Sequence, residues 1–227
     1  MTSTGDVVDP STANNSLLGD DYIYVKTTDD LYEILGNNNK AGTAEDGAYV
    51  VLQKGVHVLD HSKEGNGQLS VTKDLTIVGE DGAQIKGGYY TNTSSSRPFY
   101  IYCSSVENLV IKNIDFIKGD GQDQCLAELW FSGSEADYMK GNPDSQKIKV
   151  LLDNVGVEQV RLENYFGYQK GLVMDVTING CNIGTVMIEN WGNGNKTYFT
   201  YDSGSEINLR YNLVNDGEES VFVNMIK

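Results

Sequence analysis

Two residues of opposite charge, Arg161 and Glu163, lie two positions apart in the phrase VRLEN and are the first candidates for chemistry in this chain. On a β-strand, residues two apart point to the same face, so both side chains would project from one surface. Lys112 and Arg210 lie at outward positions of similar phrases, and the four residues would together form a patch containing a base and an acid. The same pattern is also typical of a solvent-exposed strand face with a cross-strand ion pair of little energetic weight.

A second candidate is the acidic turn GDGQDQ at 119–124. Asp120 and Asp123, with Asp115 and Glu128 nearby, could supply the hard oxygen ligands that Ca²⁺ prefers. The spacing matches no EF-hand loop, and a plain acidic turn without a metal is the alternative interpretation.

Histidine and cysteine contribute little to these candidates. His57 lies between Val56 and Val58, which predicts the two valines inside and the histidine on the surface. The chain contains three cysteines, Cys103, Cys125 and Cys181. They fit no metal-binding spacing, so we expect buried, reduced thiols that pack as small hydrophobic groups.

Aromatic residues are the more informative group, with fourteen tyrosines and two tryptophans in 227 residues. Five of them fall in or beside the longer predicted loops: Trp130, Tyr138, Trp191, Tyr198 and Tyr201. Exposed rings stack on sugar faces, and an acidic protein could bind in this way if the glycan is neutral. For Trp130 and Trp191, packing in the core or under a loop is the alternative.

The formal net charge of -15 argues against nucleic acid and anionic membrane surfaces as partners. No stretch approaches the ~18 apolar residues that a membrane-spanning helix needs. Residues 1–20 have neither the basic start nor the apolar segment of a secretory signal, so none is predicted there.

The elements that must position these residues are short β-branched phrases with period-2 alternation, each closed by Asn or Gly. The clearest is VENLVIKNIDFIKGDG at 106–121, and relatives of it begin at Leu69, Val157, Val176 and Glu206. The aliphatic residues expected to point inward are Ile77, Ile111, Leu162, Ile178 and Leu209. One unit repeated with loops of variable length predicts a single-stranded, right-handed parallel β-helix with about three strands per coil. A β-sandwich would need two-residue Asn-Gly or Asp-Gly hairpin turns, and few are present.

We expect a flexible leader at 1–21 and a β-helix domain at 22–227. A short capping helix at 30–35 would begin at Asp30, with Glu33 completing a capping box, and would cover the open N-terminal end of the solenoid. Asn113 and Asn164 fall at bends, where their side chains could bond to neighbouring coils and tolerate left-handed backbone.

Two runs carry a resemblance to a known family. AYVVLQKGVHVL followed by KDLTIVGEDGAQIKG resembles the opening coils of the pectate-lyase-like right-handed parallel β-helix superfamily. The later run, from VENLVIKNIDFIKGDG to INLRYNLVNDGEESVFVNMI, is similar to uncharacterised β-helix domains of gut bacterial surface lipoproteins, which are distant relatives of chondroitinase-B-like lyases. The resemblance spans about residues 45–227 and implies an extracellular or outer-surface setting among polysaccharides.

The resemblance also implies one enzymatic alternative. Lyases of this superfamily remove the C5 proton of a uronate, usually with Ca²⁺ held by acidic or amide side chains and with an Arg or Lys base on the outward face. Here that machinery would be Lys112, Arg161, Glu163 and Arg210. The paired aspartates and the His-Gly and Arg-x-Lys signatures of β-helix polygalacturonases are absent from the sequence.

We therefore expect a non-catalytic extracellular or cell-surface β-helix that binds a polysaccharide or another surface component, with no cofactor unless Ca²⁺ binds the acidic turn. A polysaccharide lyase and a tail-spike or adhesin segment of a larger assembly are the alternatives. Val221, Val223 and Ile226 form a predicted final strand with no cap after it. We accordingly expect a second copy docking end to end, or a further domain, at the C-terminal end.

Overall fold

The computed structural model describes residues 22–37, 40–59, 69–87, 99–102, 106–119, 127–132, 147–164, 172–190, 194–213 and 220–227. The predicted leader at 1–21 lies outside these ranges. Within them the chain is a parallel β-solenoid with one short helix, as the sequence predicts. No helix within these described ranges is long and apolar enough to cross a membrane.

The elements in chain order are β1 (Tyr22–Val25), α1 (Thr28–Leu35), β2 (Gly36–Asn37), β3 (Lys40–Ala41), β4 (Ala48–Leu52), β5 (Gly55–Val58), β6 (Leu69–Val71), β7 (Leu75–Gly79), β8 (Ala83–Lys86), β9 (Phe99–Tyr102), β10 (Asn108–Lys112), β11 (Asp115–Ile117), β12 (Glu128–Ser132), β13 (Lys147–Asp153), β14 (Gly156–Asn164), β15 (Val173–Asn179), β16 (Asn182–Asn190), β17 (Lys196–Asp202), β18 (Glu206–Leu213) and β19 (Val221–Ile226). They form two sheets in the described part of the chain. The first sheet stacks eight parallel strands in the order β1-β4-β7-β10-β13-β15-β17-β19.

The second sheet changes character along the solenoid. In the early coils it consists of two separate ladders, β5-β8-β11 and β6-β9-β12, so each coil has three strands with the first sheet included. The nine-residue β14 joins the two ladders, because Gly156 pairs with β11 while Gln159–Glu163 pair with β12. From β14 onward a coil has two long strands. The prediction of about three strands per coil therefore holds only for the early coils.

The long strands keep a bend where the two short strands met. In β16, Ile183 and Val186 both point inward although they are three residues apart, and the register shifts between them. Gly184 lies at this bend, where a Cβ atom would be 2.7 Å from the carbonyl oxygen of Glu158 on the strand below. Glycine is required here because no side chain fits between the two backbones.

Aliphatic side chains stack in rows along the axis and form the core. Of the predicted inward residues, Ile77, Ile111, Leu162 and Ile178 are buried, and Leu209 is partly buried against them. Ile77, Ile111 and Ile178 belong to one row because their strands pair in register, directly or through Leu152. Stacked strands lie about 4.8 Å apart, so each side chain contacts the ones above and below it. Each such burial stabilises the fold by roughly 1.5–3 kcal/mol.

The helix α1 begins two residues earlier than predicted. Thr27 is the N-cap: its hydroxyl accepts a hydrogen bond from the amide of Asp30 (3.1 Å), and the Asp30 carboxylate accepts one from the amide of Thr27 (2.8 Å). The prediction that Asp30 caps the helix with Glu33 was wrong, because Asp30 is the third helical residue and completes the capping box instead. Backbone hydrogen bonds, chiefly from the amide of Lys26, lower the pKa of Asp30.

The helix packs on β1, β2 and β6 at the N-terminal end of the solenoid. It buries Leu31, Tyr32 and Leu35, and Ile34 is partly buried against the core. The apolar stripe predicted for Leu31, Ile34 and Leu35 is therefore wider, because it includes Tyr32.

Asparagines turn two of the corners: Asn113, which was predicted to do so, and Asn154, which was not. Asn113 and Asn154 adopt left-handed backbone with φ of 54° and 53°, and the Asn154 side-chain amide donates to the Asn113 carbonyl oxygen at 3.1 Å. Asn164, predicted to turn a corner in the same way, is fully buried at the end of β14 and does not adopt left-handed backbone. Its amide donates to the backbone carbonyl oxygens of Leu172 (3.3 Å) and Lys196 (3.1 Å), which tie successive coils together.

The prediction for β5 was inverted. His57 is buried with its Nε2 2.9 Å from the carbonyl oxygen of Gln53, whereas Val56 and Val58 are about half exposed. The ring can occupy the inward position because the backbone carbonyl satisfies its polar atom. Cys181 is a buried free thiol, as expected, and burial raises its pKa; Cys103 and Cys125 lie outside the described residues.

Candidate functional site

The four residues of the predicted acid–base patch do not share a face. Arg161 and Glu163 lie on β14 of the second sheet, and Arg210 lies two strands further along the same sheet, in register with Arg161 through Met187. Lys112 lies on β10 of the first sheet. The prediction that Lys112 joins Arg161 and Glu163 in one patch was therefore wrong, because the similar phrases that contain them belong to different sheets of the solenoid.

Arg161 is held by charged neighbours on both sides. Its Nε donates to a Glu189 carboxylate oxygen at 2.7 Å, and its Nη2 lies 3.6 Å from a Glu163 carboxylate oxygen. The guanidinium carbon lies 4.9 Å from the centre of the Trp130 ring, within the range of a cation–π interaction. Parallel pairing in register produces this arrangement, because Trp130 lies directly opposite Arg161 and Glu163 directly opposite Glu189.

Three buried carboxylates surround the guanidinium, and we call Glu128, Glu163 and Glu189 with Arg161 the charged cluster. Each carboxylate has a further hydrogen-bond donor. Ser132 Oγ donates to Glu163 at 2.6 Å, Gln159 Nε2 donates to Glu128 at 2.7 Å, and Asn212 Nδ2 donates to Glu189 at 3.1 Å. Buried charges persist when they are paired and hydrogen-bonded in this way.

The protonation behaviour of the charged cluster argues against a base at Arg161. Burial alone would lower the Arg161 pKa, but the hydrogen bond and charge of Glu189, with the charges of Glu163 and Glu128, raise it above its ordinary value. A general base must give up its proton near the working pH. Burial raises the pKa of Glu163, and the Ser132 hydrogen bond and the Arg161 charge only partly oppose this rise. The charged cluster therefore has the properties of a structural network.

The outer face of the first sheet differs, because it carries exposed aromatic side chains. One row along this face runs through Asn108, Lys149, Asp175, Tyr198 and Phe222. Its last two rings are stacked, with centroids 4.8 Å apart and an interplanar angle of 13°. Tyr198 is 37% exposed and Phe222 is 44% exposed. We call these two residues the aromatic pair.

A shallow groove of about 260 Å³ continues from the aromatic pair along the same face. It is lined by Asn108, Leu109, Val110, Lys149, Val150, Leu151, Asp175 and Thr177. Amide, hydroxyl, ammonium and carboxylate groups therefore alternate with aliphatic ones. Lys147 pairs with Asp175 at 3.2 Å beside the groove, so the positive and negative charges are partly matched.

The other predicted sugar-binding aromatics are not part of this face. Trp130 is half-buried beside Arg161 on the second sheet. Tyr201 occupies an inward position, half-buried and 5.8 Å from the ring of Phe199. Tyr138 and Trp191 lie outside the described residues. Phe222 was not among the candidates, although the alternation of VFVNMI, with Val221 and Val223 inward, points it outward.

The structure gives the proposed calcium site no support within the residues it describes. No group of three or more His, Cys, Asp or Glu side chains in that part of the chain could hold a metal ion. Asp120 and Asp123 lie outside it. Glu128 is buried and bonded to Gln159, whereas Asp115 is exposed and lines two open grooves of about 540 and 410 Å³.

Comparisons of the chain with protein-family models, with curated proteins and with solved structures found no match.

Proposed function

We propose that this protein is a non-catalytic, extracellular or cell-surface β-helix that binds a neutral carbohydrate on the outer face of its first sheet. The observation that carries this proposal is the aromatic pair, Tyr198 and Phe222, exposed on a flat sheet surface beside a groove of mixed polarity. The resemblance to pectate-lyase-like β-helices supports the setting and adds no residue to the site.

Sugar recognition by such a face has a simple physical basis. The C–H face of a pyranose is apolar and packs on an aromatic ring, while the hydroxyl groups around its edge need hydrogen-bond partners. The groove offers hydrogen-bonding groups in Lys149 and Thr177 and an acceptor in the side-chain oxygen of Asn108, whose amide nitrogen donates to Asp74 at 3.1 Å. Neutral glycans suit this protein better than uronates do, because its net charge of -15 repels anions.

The lyase alternative receives less support. Arg161 is paired with both Glu163 and Glu189, and Lys112 is paired with Asp153 at 3.0 Å on the other sheet. Abstraction of a proton from a uronate would require an unpaired base beside a cation, and none of Arg161, Glu163 and Lys112 is unpaired. The tail-spike or adhesin alternative is compatible with the same aromatic face, since adhesion to a glycan would use the same contacts.

The proposal is tested by binding of short neutral oligosaccharides, selected on a glycan array and measured by isothermal titration calorimetry. Tyr198→Ala should weaken binding about tenfold or more, which corresponds to about 1.4 kcal/mol. Tyr22→Ala is the matched control: Tyr22 is also an exposed tyrosine on this sheet (45%), but it lies on β1 at the opposite end. Equal binding by wild type and Tyr198→Ala would refute the proposed site, and release of unsaturated sugars from a uronate polymer would favour the lyase.

A further inference from the structure

The last coil of the solenoid exposes core positions that are buried elsewhere. On β18 and β19, Tyr211 is 49% exposed, Val223 40% and Met225 58%, although all three point inward by register. Ile188, directly beneath Tyr211, and Phe199, directly beneath Val223, are fully buried. The apolar interior therefore ends in a surface at this coil.

The same coil offers unpaired backbone. β18 pairs with β16 and β19 pairs with β17, and each has one neighbour among the described strands. Native edge strands usually carry charges or prolines that block further pairing, but β19 (VFVNMI) contains neither. Such an edge is a template for another strand.

The opposite end of the solenoid cannot receive this edge. There α1 packs across β1, β2 and β6 and buries Leu31, Tyr32 and Leu35. A head-to-tail stack of copies would have to displace that helix. A two-fold contact has no such requirement, because it joins the same surface of both copies.

The charges of β18 match this symmetry. If β18 pairs antiparallel with its own copy around Asn208, Glu206 lies opposite Arg210 of the second copy, and Ile207 lies opposite Leu209. The backbone agrees with this register. The Glu206 amide points toward the solenoid and donates to the carbonyl oxygen of Cys181 at 2.9 Å. By alternation the amides of Ile207 and Leu209 point to the open edge, where they can exchange hydrogen bonds with the copy.

We propose that this chain forms a two-fold dimer through its last coil, with β18 antiparallel to β18 of a second copy and two Glu206–Arg210 pairs across the axis. The contact also covers Tyr211, Val223 and Met225. The contact uses inward residues of β18 and β19, whereas the rings of the aromatic pair project from the outer face of the first sheet, so different substitutions test the two proposals.

The test is a charge exchange followed by sedimentation velocity and light scattering over a wide range of protein concentration. The wild type should be a dimer. Glu206→Arg and Arg210→Glu place like charges opposite each other twice, and each should raise the dissociation constant about tenfold or more. The chain carrying both substitutions restores opposite charges and should dimerise again. Lys54→Glu, an exposed charge reversal near the other end, is the control and should stay dimeric.

Mixing the two single variants gives the most specific result. Glu206→Arg and Arg210→Glu should combine into a heterodimer although each alone is largely monomeric, and this result also shows that both variants are folded. A wild type that stays monomeric, one that forms long filaments, or a dimer unaffected by either reversal would overturn the proposal. In the first case the last coil has another occupant, such as further coils or a different protein.

Discussion

The outer faces of the two sheets show how the same solenoid can use polar and aromatic residues in opposite ways. On the second sheet, Arg161, Glu163 and Glu189 are charged but largely buried, and Arg161 is paired with both carboxylates. On the first sheet, Tyr198 and Phe222 are exposed and stack on each other. The charged residues of the second sheet stabilise the fold, whereas the aromatic residues of the first sheet are exposed to ligands. Availability, more than residue type, therefore decides which face is the candidate site.

Removing Arg161 should produce the largest effect. Arg161→Met leaves Glu163 and Glu189 buried without their cation, and we expect a loss of roughly 3 kcal/mol of unfolding free energy. Chemical denaturation measures the loss. Arg161→Lys keeps the charge but cannot bond through Nε and Nη2 together. Its unfolding free energy should therefore lie between those of Arg161→Met and the wild type. If Arg161→Met and the wild type have the same unfolding free energy within the error of the measurement, the charged cluster does not stabilise the fold.

Tyr198→Ala should show the converse behaviour. It removes an exposed ring that stacks on Phe222, so we expect little change in melting temperature and a tenfold or greater loss of carbohydrate affinity, about 1.4 kcal/mol. Binding and thermal unfolding measured on the same preparation distinguish the two roles. If the variant has a much lower melting temperature and an unchanged carbohydrate affinity, Tyr198 is a packing residue. Both faces would then be structural, and the difference between them would disappear.

Glu163 should give the charged cluster a specific pH dependence. Its pKa is raised by burial, so the folded state binds its proton more tightly than the unfolded state does, and the unfolding free energy should fall as pH rises from the ordinary glutamate value of about 4.3. Asp30 and Asp202 have lowered pKa values and act in the opposite direction. The difference between wild type and Glu163→Gln isolates the Glu163 contribution, because the aspartates are common to both.

We expect the difference in unfolding free energy between the two proteins to be largest above the raised pKa of Glu163, where wild-type Glu163 is ionised. Glu189, Glu128 and Arg161 face it and are unchanged in the variant. If the unfolding free energies of the two proteins change in parallel as the pH rises from about 4.3, that result would contradict the burial of an ionisable group at this position.

The smallest effect is expected for Lys112→Met. Lys112 and Asp153 are paired at 3.0 Å, but both side chains are 37% exposed. Surface pairs of this kind contribute about 0.5 kcal/mol or less. A loss comparable to that of Arg161→Met, measured by the same denaturation, would show that the outer face of the first sheet also depends on its charges.

Part of the molecule could be predicted from local patterns alone. Alternation identified the rows containing Ile77, Ile111 and Ile178, because a strand has a side-chain period of two wherever it lies. Asn113 was recognised at its bend because few residues accept left-handed backbone. The helix was also recognised, although its cap was placed at Asp30 instead of Thr27, since two overlapping capping patterns fit the same sequence.

The candidate site was harder to predict, because outward alternation does not say which sheet a strand joins. Lys112 and Arg161 occupy similar positions in similar phrases, yet they project from different faces. His57 was predicted on the surface because its flanking valines appeared better suited to the core. A backbone carbonyl that accepts its hydrogen bond reverses that preference, and no local pattern shows such a partner.

The sequence by itself determined that the chain forms parallel coils with aliphatic rows and asparagine corners, because these features follow from a two-residue period and from backbone preferences. Only the tertiary structure decided which residues meet across coils. Loops of different length separate the coils, so the register that places Trp130 on Arg161, Glu163 beside Glu189, and Tyr198 on Phe222 is a property of stacking. Burial then follows from that stacking, and with it the difference between a structural ion pair and an accessible ring.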